Sequence, residues 1–319
     1  MDVYRLFKLM SDRSSHNKRI AKNTLFLYLR MGLVLVVSLF STRVVLQALD
    51  IEDYGINNVV SGFVTMFAFL NTSMSNGVQR FYNFSLGRKN GYSIKDVYNT
   101  ALQIQAILAV TLLVPLETFG MWYIHTQMVI PIDRFAAAQW VFQFSVLSLV
   151  LLVLQIPYSA AIMAYEKMDY YAYLSIFDVL AKLGIAYIIK YTTFDKLILY
   201  GALNMLVSLI CFFLYYGYAK FHFQDLKSDF IIRKQLFKPM LYFSGWNGFG
   251  SFAYMIKSQG LNMLLNVFFG PVVNAARGVS NMAMSAIQGF HSNIVIAFRP
   301  QLIQSYATGD NERVLKLFY

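Results

Sequence analysis

Eight stretches of the chain are each long and apolar enough for a helix that crosses a bilayer. They run over 24–46, 54–77, 97–124, 138–163, 171–190, 197–219, 240–269 and 278–303. About 20 helical residues span a hydrocarbon core of roughly 30 Å, and in lipid only helices or closed barrels satisfy every backbone N–H and C=O. The pattern predicts an all-α integral membrane protein with about eight transmembrane helices in the 319 residues. Composition points the same way: 13% of residues are charged, against about 25% in soluble domains.

The net charge of +11 would raise the question of nucleic acid in a soluble protein. Here it follows from the excess of Lys and Arg that cytoplasmic loops carry. With the N-terminus inside, Arg5, Lys8, Arg13, Lys18, Arg19 and Lys22 lie in the cytoplasm, together with the basic residues near 80–95 and 220–238. The first outside loop, Asp50-Ile51-Glu52-Asp53, is acidic. The expectation is a multi-pass protein of the membrane, N-terminus cytoplasmic, whose partner is the lipid bilayer and not nucleic acid. The basic segment 1–22 has no apolar core and does not read as a cleavable signal.

Residues 220–239 alternate basic residues with Phe221, Leu226, Phe230 and Phe237. They read as an amphipathic linker on the cytoplasmic face. The predicted organisation is an N-terminal lobe of six helices over 1–219, this linker over 220–239, and the first two helices of a second, incomplete lobe over 240–319. A two-lobed plan calls for about four further spans, so the sequence reads as the first two-thirds of a longer protein.

Polar residues within spans are costly unless they face other helices or water. The first span carries Asn23, Arg30, Ser38 and Ser41, and the second Asn57, Ser61, Thr65, Thr72 and Asn76. The seventh carries Asn247, Ser251, Ser258, Asn262 and Asn266; the eighth carries Arg277, Asn281, Ser285, Gln288, Ser292 and Arg299. Individually these residues could serve as interhelical hydrogen-bonding glue. Together, on corresponding helices of two lobes, they predict a polar cavity between them.

Charge within the spans is mostly basic: Arg30, Arg43, Lys182, Lys257, Arg277 and Arg299 against Glu117 and Asp178. Asp178 and Lys182 are four apart, a spacing at which side chains on a helix can pair. A basic cavity suits an anionic ligand, because guanidinium and ammonium groups match phosphate. Candidate ligand-binding residues are Arg30, Asn76, Asn247, Lys257, Asn262, Arg277, Asn281, Gln288 and Arg299, with Asp178 and His291 as candidates for ion coupling. The single cysteine, Cys211, and the scattered histidines offer neither a disulfide nor a metal-ligand cluster. No phosphate-binding loop or hydrolase motif occurs, so neither an enzyme nor a cofactor is expected.

Several strings resemble one family. Thr42-Arg43-Val44-Val45-Leu46-Gln47-Ala48-Leu49, Asp53-Tyr54-Gly55-Ile56, and Phe69-Leu70-Asn71 through Gln79-Arg80-Phe81 resemble Wzx-type polysaccharide flippases, members of the superfamily that contains MATE multidrug exporters. Pro157-Tyr158, Ala164-Tyr165-Glu166-Lys167-Met168 and Tyr171-Ala172-Tyr173 resemble the junction of the family's fourth and fifth helices. Ser244-Gly245-Trp246-Asn247, Lys257-Ser258-Gln259-Gly260 and Phe269-Gly270-Pro271 through Arg277-Gly278 resemble its seventh and eighth. The resemblance implies a MATE-like fold of two pseudo-symmetric lobes in the bacterial inner membrane. It implies that undecaprenyl-diphosphate-linked oligosaccharide is carried between leaflets for O-antigen, lipopolysaccharide or capsule synthesis, with the polysaccharide polymerase machinery as a further partner. The alternative within the superfamily is a cation-coupled exporter of organic cations.

Overall fold

The computed structural model describes the backbone of residues 2–87, 92–126, 130–226, 229, 234–310, 312 and 314–315. Side chains are described from residue 22 onward, apart from 51, 59, 63, 65, 68, 234, 255–283, 285, 286 and 290 within helices. The elements are α1 (Asp2–Thr65), α2 (Ala68–Gly87), α3 (Ile94–Pro115), a π turn (Leu116–Gly120), α4 (Met121–Thr126), a 3₁₀ turn (Ile132–Arg134), α5 (Phe135–Ala164), α6 (Met168–Lys190), α7 (Lys196–His222) and α8 (Lys234–Thr308). No strand occurs among the described residues, and the all-α expectation is borne out.

Local chemistry sets several of these boundaries. Ser93 caps α3, its Oγ accepting from the Asp96 N–H at 3.1 Å, and Asp96 places negative charge at the positive end of the helix dipole. Pro115 has no N–H to donate, and the five residues after it wind as a π turn before α4 resumes. Asp195 caps α7 by accepting from the N–H groups of Leu197 and Ile198, each at 3.0 Å.

Asp50, at φ 63° and ψ 170°, interrupts α1. Contacts show that its two legs run in opposite directions. Along the first leg, Lys22 meets Asp169, Phe26 meets Tyr173, and Val45, Ala48 and Leu49 join Ile185, Ala186 and Ile189. That leg is therefore parallel to α6. Along the second leg, Asp53 binds Arg134, Val60 and Val64 pack with Val141, and further on Tyr82 of α2 donates to the Pro157 carbonyl. This path is parallel to α5. Since α5 and α6 are joined by three residues, α1 is a helical hairpin that turns at the acidic loop.

The second predicted span, 54–77, is not one helix. It is helical to Thr65, turns at Met66 and Phe67, and continues as α2. Among the described residues, five helical segments are long and apolar enough to cross a membrane: Lys22–Asp50, Ile94–Thr126, Ile132–Ala164, Met168–Lys190 and Lys196–His222. They match the first, third, fourth, fifth and sixth predicted spans. The second is broken and polar, and the last two carry amide-rich stripes that lower their hydropathy.

Helix α8 cannot be a straight rod. Phe252 packs on Phe69, Gly248 and Ser244 on Ser73, and Phe243 on Phe81, so its first leg runs antiparallel to α2. Arg299 bonds Asn76, Gln304 bonds Asn83, and Tyr306 packs on Phe84, so its last leg runs parallel to α2. On a straight helix Ser244 and Arg299 would be ~80 Å apart. Their partners Ser73 and Asn76 are one turn apart, so the chain reverses between Tyr254 and Met284 and both legs pack on α2.

The described part of 220–239 is folded against the bundle. Phe223 and Leu226 are buried in the same core cluster as Tyr82, Val97 and Ala161. Asp229 pairs with Lys95 at 3.1 Å, and its N–H donates to Asn99 Oδ1 at 2.9 Å. Leu236 and Met240 at the start of α8 complete that cluster. Fully buried Ala160, Ala161 and Ala164 on α5 allow close helix approach here.

Candidate functional site

A cavity of about 950 Å³ lies between α1, α2, α5, α6, α7 and the last leg of α8. Polar residues line it from helices that are otherwise apolar, interspersed with apolar ones such as Leu149, Leu152 and Leu174. On α5, Ser145, Ser148, Gln155 and Ser159 face it; on α6, Tyr171, Ser175, Asp178 and Lys182; on α7, Tyr200, Asn204, Ser208, Cys211 and Tyr215. Steps of three, four or seven residues put each set on one helix face. Asn57, Ser61, Asn71, Thr72, Ser75, Asn76 and Gln79 line it from α1 and α2.

The charged lining residues are Arg30, Lys182, Asp178 and Arg299. Lys182 donates to Asp178 at 2.8 Å, as their spacing predicts, and this pair is self-contained. Arg30 and Arg299 have no carboxylate partner among the described residues. The Arg30 guanidinium lies 5.0 Å from the Tyr171 ring centroid and reaches Ser175 Oγ at 3.4 Å, while its Nε is buried without a partner. Arg299 donates to Asn76 Oδ1 at 2.6 Å. Gln79, 3% exposed, also holds its Nε2 donor buried and unpartnered. The α1–α2–α8 side is thus rich in unspent donors and net positive charge.

On α1, α5 and α7 several lining hydroxyls are bonded within their own helices, Ser61 to the Asn57 carbonyl among them. Ser145 and Ser148 donate to the carbonyls of Val141 and Phe144 at 2.7 and 2.8 Å, and Ser208 donates to that of Asn204 at 3.1 Å. Their protons are committed to their own helices, so the hydroxyl oxygens remain as acceptors.

Of the predicted site residues, the structure brings Arg30, Asn76, Arg299 and Asp178 to this cavity. Asn247 is on the first leg of α8, bonding the Phe243 carbonyl at 3.0 Å, and does not line it. Gln288 and His291 are exposed on the last leg and do not line it either. The side chains of Lys257, Asn262, Arg277 and Asn281 lie outside the described residues. The stripes on α5, α6 and α7 are absent from the sequence-based candidates, except for the Asp178–Lys182 pair. Their three- and four-residue spacing was the available signal.

At one end of the bundle, Arg134 ties three elements. It donates to both oxygens of Asp53 and, at 2.7 Å, to Asp195. Burial alone would raise the Asp195 carboxyl. The Ile198 N–H and the Arg134 guanidinium outweigh it and hold the group below the ordinary aspartate value. At the other end, Gln304 donates to Asn83 and to the Ala164 carbonyl, and Gln301 donates to Glu166, joining α8 to α2 and the α5–α6 turn.

No family model matches the sequence, and no protein of curated function matches it. Solved structures do match in fold. An outward-facing multidrug resistance MATE family transporter of the MOP superfamily superposes with TM-score 0.75 at 12% identity, over 94% of this chain and 67% of that one. A mutant of the Vibrio cholerae MATE transporter VcmN gives 0.73 at 13% identity, over 95% and 69%. A MOP superfamily transporter from Pyrococcus furiosus, whose binding pocket is described as having reverse polarity suggesting a different function, gives 0.70 at 12%, over 92% and 67%. The chain spans about two-thirds of the length of these structures. Its fold is that of MATE transporters, as the sequence resemblance implies, and with its five long apolar helices the chain is a multi-pass membrane protein.

Proposed function

We propose that the chain forms the N-terminal part of a flippase carrying undecaprenyl-diphosphate-linked oligosaccharide from the cytoplasmic to the outer leaflet of the bacterial inner membrane. The carrier supplies surface polysaccharide such as O-antigen or capsule and works by alternating access. The N-terminus is cytoplasmic in this reading, and no bond is made or broken in the substrate.

One observation carries the reading: among the described residues, two arginines face the cavity with no carboxylate partner, while the one lining carboxylate is spent on Lys182. A diphosphate is the natural counter-charge, since charge-assisted bonds to guanidinium are among the strongest available. Lys257, Asn262, Arg277 and Asn281 belong to the same proposal as further contacts from the reversal of α8. The Pyrococcus furiosus neighbour gives precedent for altered pocket polarity on this fold.

The second reading, a cation-coupled exporter of organic cations, draws on the multidrug transporter among the structural neighbours. It requires a carboxylate free to take up a cation or proton, and Asp178 is neutralised in place.

Arg30→Ala and Arg299→Ala in the full-length carrier should each cut polysaccharide export by about tenfold or more, the cost of losing a charged hydrogen bond to substrate. Asp178→Asn should leave export in place and confer no change in drug resistance. Normal export in both arginine variants would refute the assignment.

A further inference from the structure

Arg80 is a cation that the cavity does not use: Asn76 and Gln79 of the same helix line the cavity, and Arg80 does not. It stands about two turns before the end of α2 at Gly87, roughly 10 Å along the axis. Its contacts are to rings. The guanidinium carbon lies 4.3 Å from the ring centroid of Phe243, 4.9 Å from that of Phe84 and 5.6 Å from that of Phe81. Phe84 is one turn nearer the helix end, so the side chain bends toward the end of the bundle, as a snorkelling arginine does. The rings cover the faces of the guanidinium, while its N–H groups point out in the plane. They meet no acceptor among the described residues. Unlike the Arg30 Nε, none of its nitrogens is buried without a partner, so the donors reach the surface.

The surroundings of Arg80 come from three helical segments. At about 100° per residue, it falls on α2 between Asn76 and Asn83, which meet the last leg of α8, and Ser73 and Phe81, which meet the first. It therefore lies in the seam between the two legs. Tyr306 on the last leg packs on Phe84, with ring centroids 6.3 Å apart, and Tyr242 on the first leg adjoins Phe243. Both tyrosines are largely exposed. Lys238, also exposed, is one turn from Tyr242 toward the same end of the bundle, and no described carboxylate pairs with it. Tyrosines collect at the boundary between hydrocarbon and headgroups, and basic pockets between membrane helices at that level take anionic headgroups.

We infer that the seam between α2 and the two legs of α8 binds the headgroup of an anionic phospholipid, its phosphate held by Arg80 and Lys238 and by the hydroxyls of Tyr242 and Tyr306. A guanidinium offers a phosphate two parallel N–H groups. A zwitterionic headgroup would bring its own ammonium beside Arg80, so a lipid of net negative charge is preferred. This lipid is resident and not cargo, because its site is outside the cavity, and the inference does not rest on the flippase reading. One phosphate there joins three segments that otherwise meet through rings and neutral side chains, and it fixes the reversed α8 on α2.

The test uses the full-length protein, stripped of lipid in detergent, and three probes: phosphatidylglycerol, phosphatidylcholine and inorganic phosphate. Lipid binding is counted by native mass spectrometry, and thermal unfolding is followed in parallel. Phosphatidylglycerol should bind the wild type at least tenfold more tightly than it binds Arg80→Gln, the effect of a lost charged hydrogen bond, and should raise the unfolding midpoint of the wild type alone. Arg80→Lys should fall between the two, since it keeps the charge and loses the paired donors. If Arg80→Gln does not fold, the Tyr242→Phe/Tyr306→Phe double variant, which keeps both rings, should weaken phosphatidylglycerol about threefold to tenfold. Phosphatidylcholine should bind weakly and equally to every form, and millimolar phosphate should displace no lipid. Equal binding of phosphatidylglycerol to the wild type and the variants would overturn the site and leave Arg80 as a clamp for rings. Phosphatidylcholine binding as tightly as phosphatidylglycerol, or full displacement by phosphate, would overturn the assignment to an anionic lipid.

Discussion

Gly87 stands at a close approach of α2 and the last leg of α8. A Cβ at this position would meet the Gln304 carbonyl oxygen at 2.7 Å and Ala307 Cβ at 2.8 Å. The first of these is backbone, so α8 itself would have to move. Gly184 on α6 has nothing within 4 Å of the same construction. Gly87→Ala should therefore lower stability by about 1–3 kcal/mol, the usual cost of overpacking. Gly184→Ala should be neutral or slightly stabilising, because glycine weakens a helix interior. Thermal unfolding of both variants in the same detergent checks this. Equal midpoints would mean that the helices are farther apart than described.

The turn of α8 has a consequence of its own. Phe69 and Phe252 have ring centroids 5.7 Å apart, and Phe84 and Tyr306 6.3 Å apart, and both pairs join α2 to α8. In a Cys211→Ser background, cysteine pairs at 69/252 and at 84/306 should each cross-link with a short bifunctional thiol reagent. A straight α8 would allow only one pair to react. The hairpin at Asp50 was legible in the sequence because an acidic stretch separates two apolar runs. The break at Met66–Phe67 was not, since neither residue is a helix breaker and the turn is imposed by packing. The stripe on α2 could be read in part because Thr72 and Asn76 stand out at helical spacing, whereas Gln79 was not among the candidates. Ser145, Ser148 and Ser208 are small and bonded to their own helices, so along the sequence they pass for ordinary helix serines. Only folding shows that three such faces converge. Asn247, Gln288 and His291 share the right spacing but face elsewhere, because spacing fixes a helix face and not the neighbour that face meets.

Taken whole, the described residues form a bundle in which α1, α2, α5, α6, α7 and the last leg of α8 line one cavity, with both legs of α8 packed on α2. Arg134 fastens one end through Asp53 and Asp195, and Gln301 and Gln304 fasten the other. A carrier that exposes its cavity alternately has to release such fastenings in turn. The excess positive charge inside the cavity sets what it can hold, and the central claim is that this cargo is a lipid-linked anionic glycan. The most direct measurement is made in a strain deleted for the gene: diphosphate-linked oligosaccharide in membrane extracts, quantified beside polysaccharide at the cell surface. The account predicts that the lipid-linked sugar accumulates while the surface polymer is lost. Unchanged pools of both would contradict it.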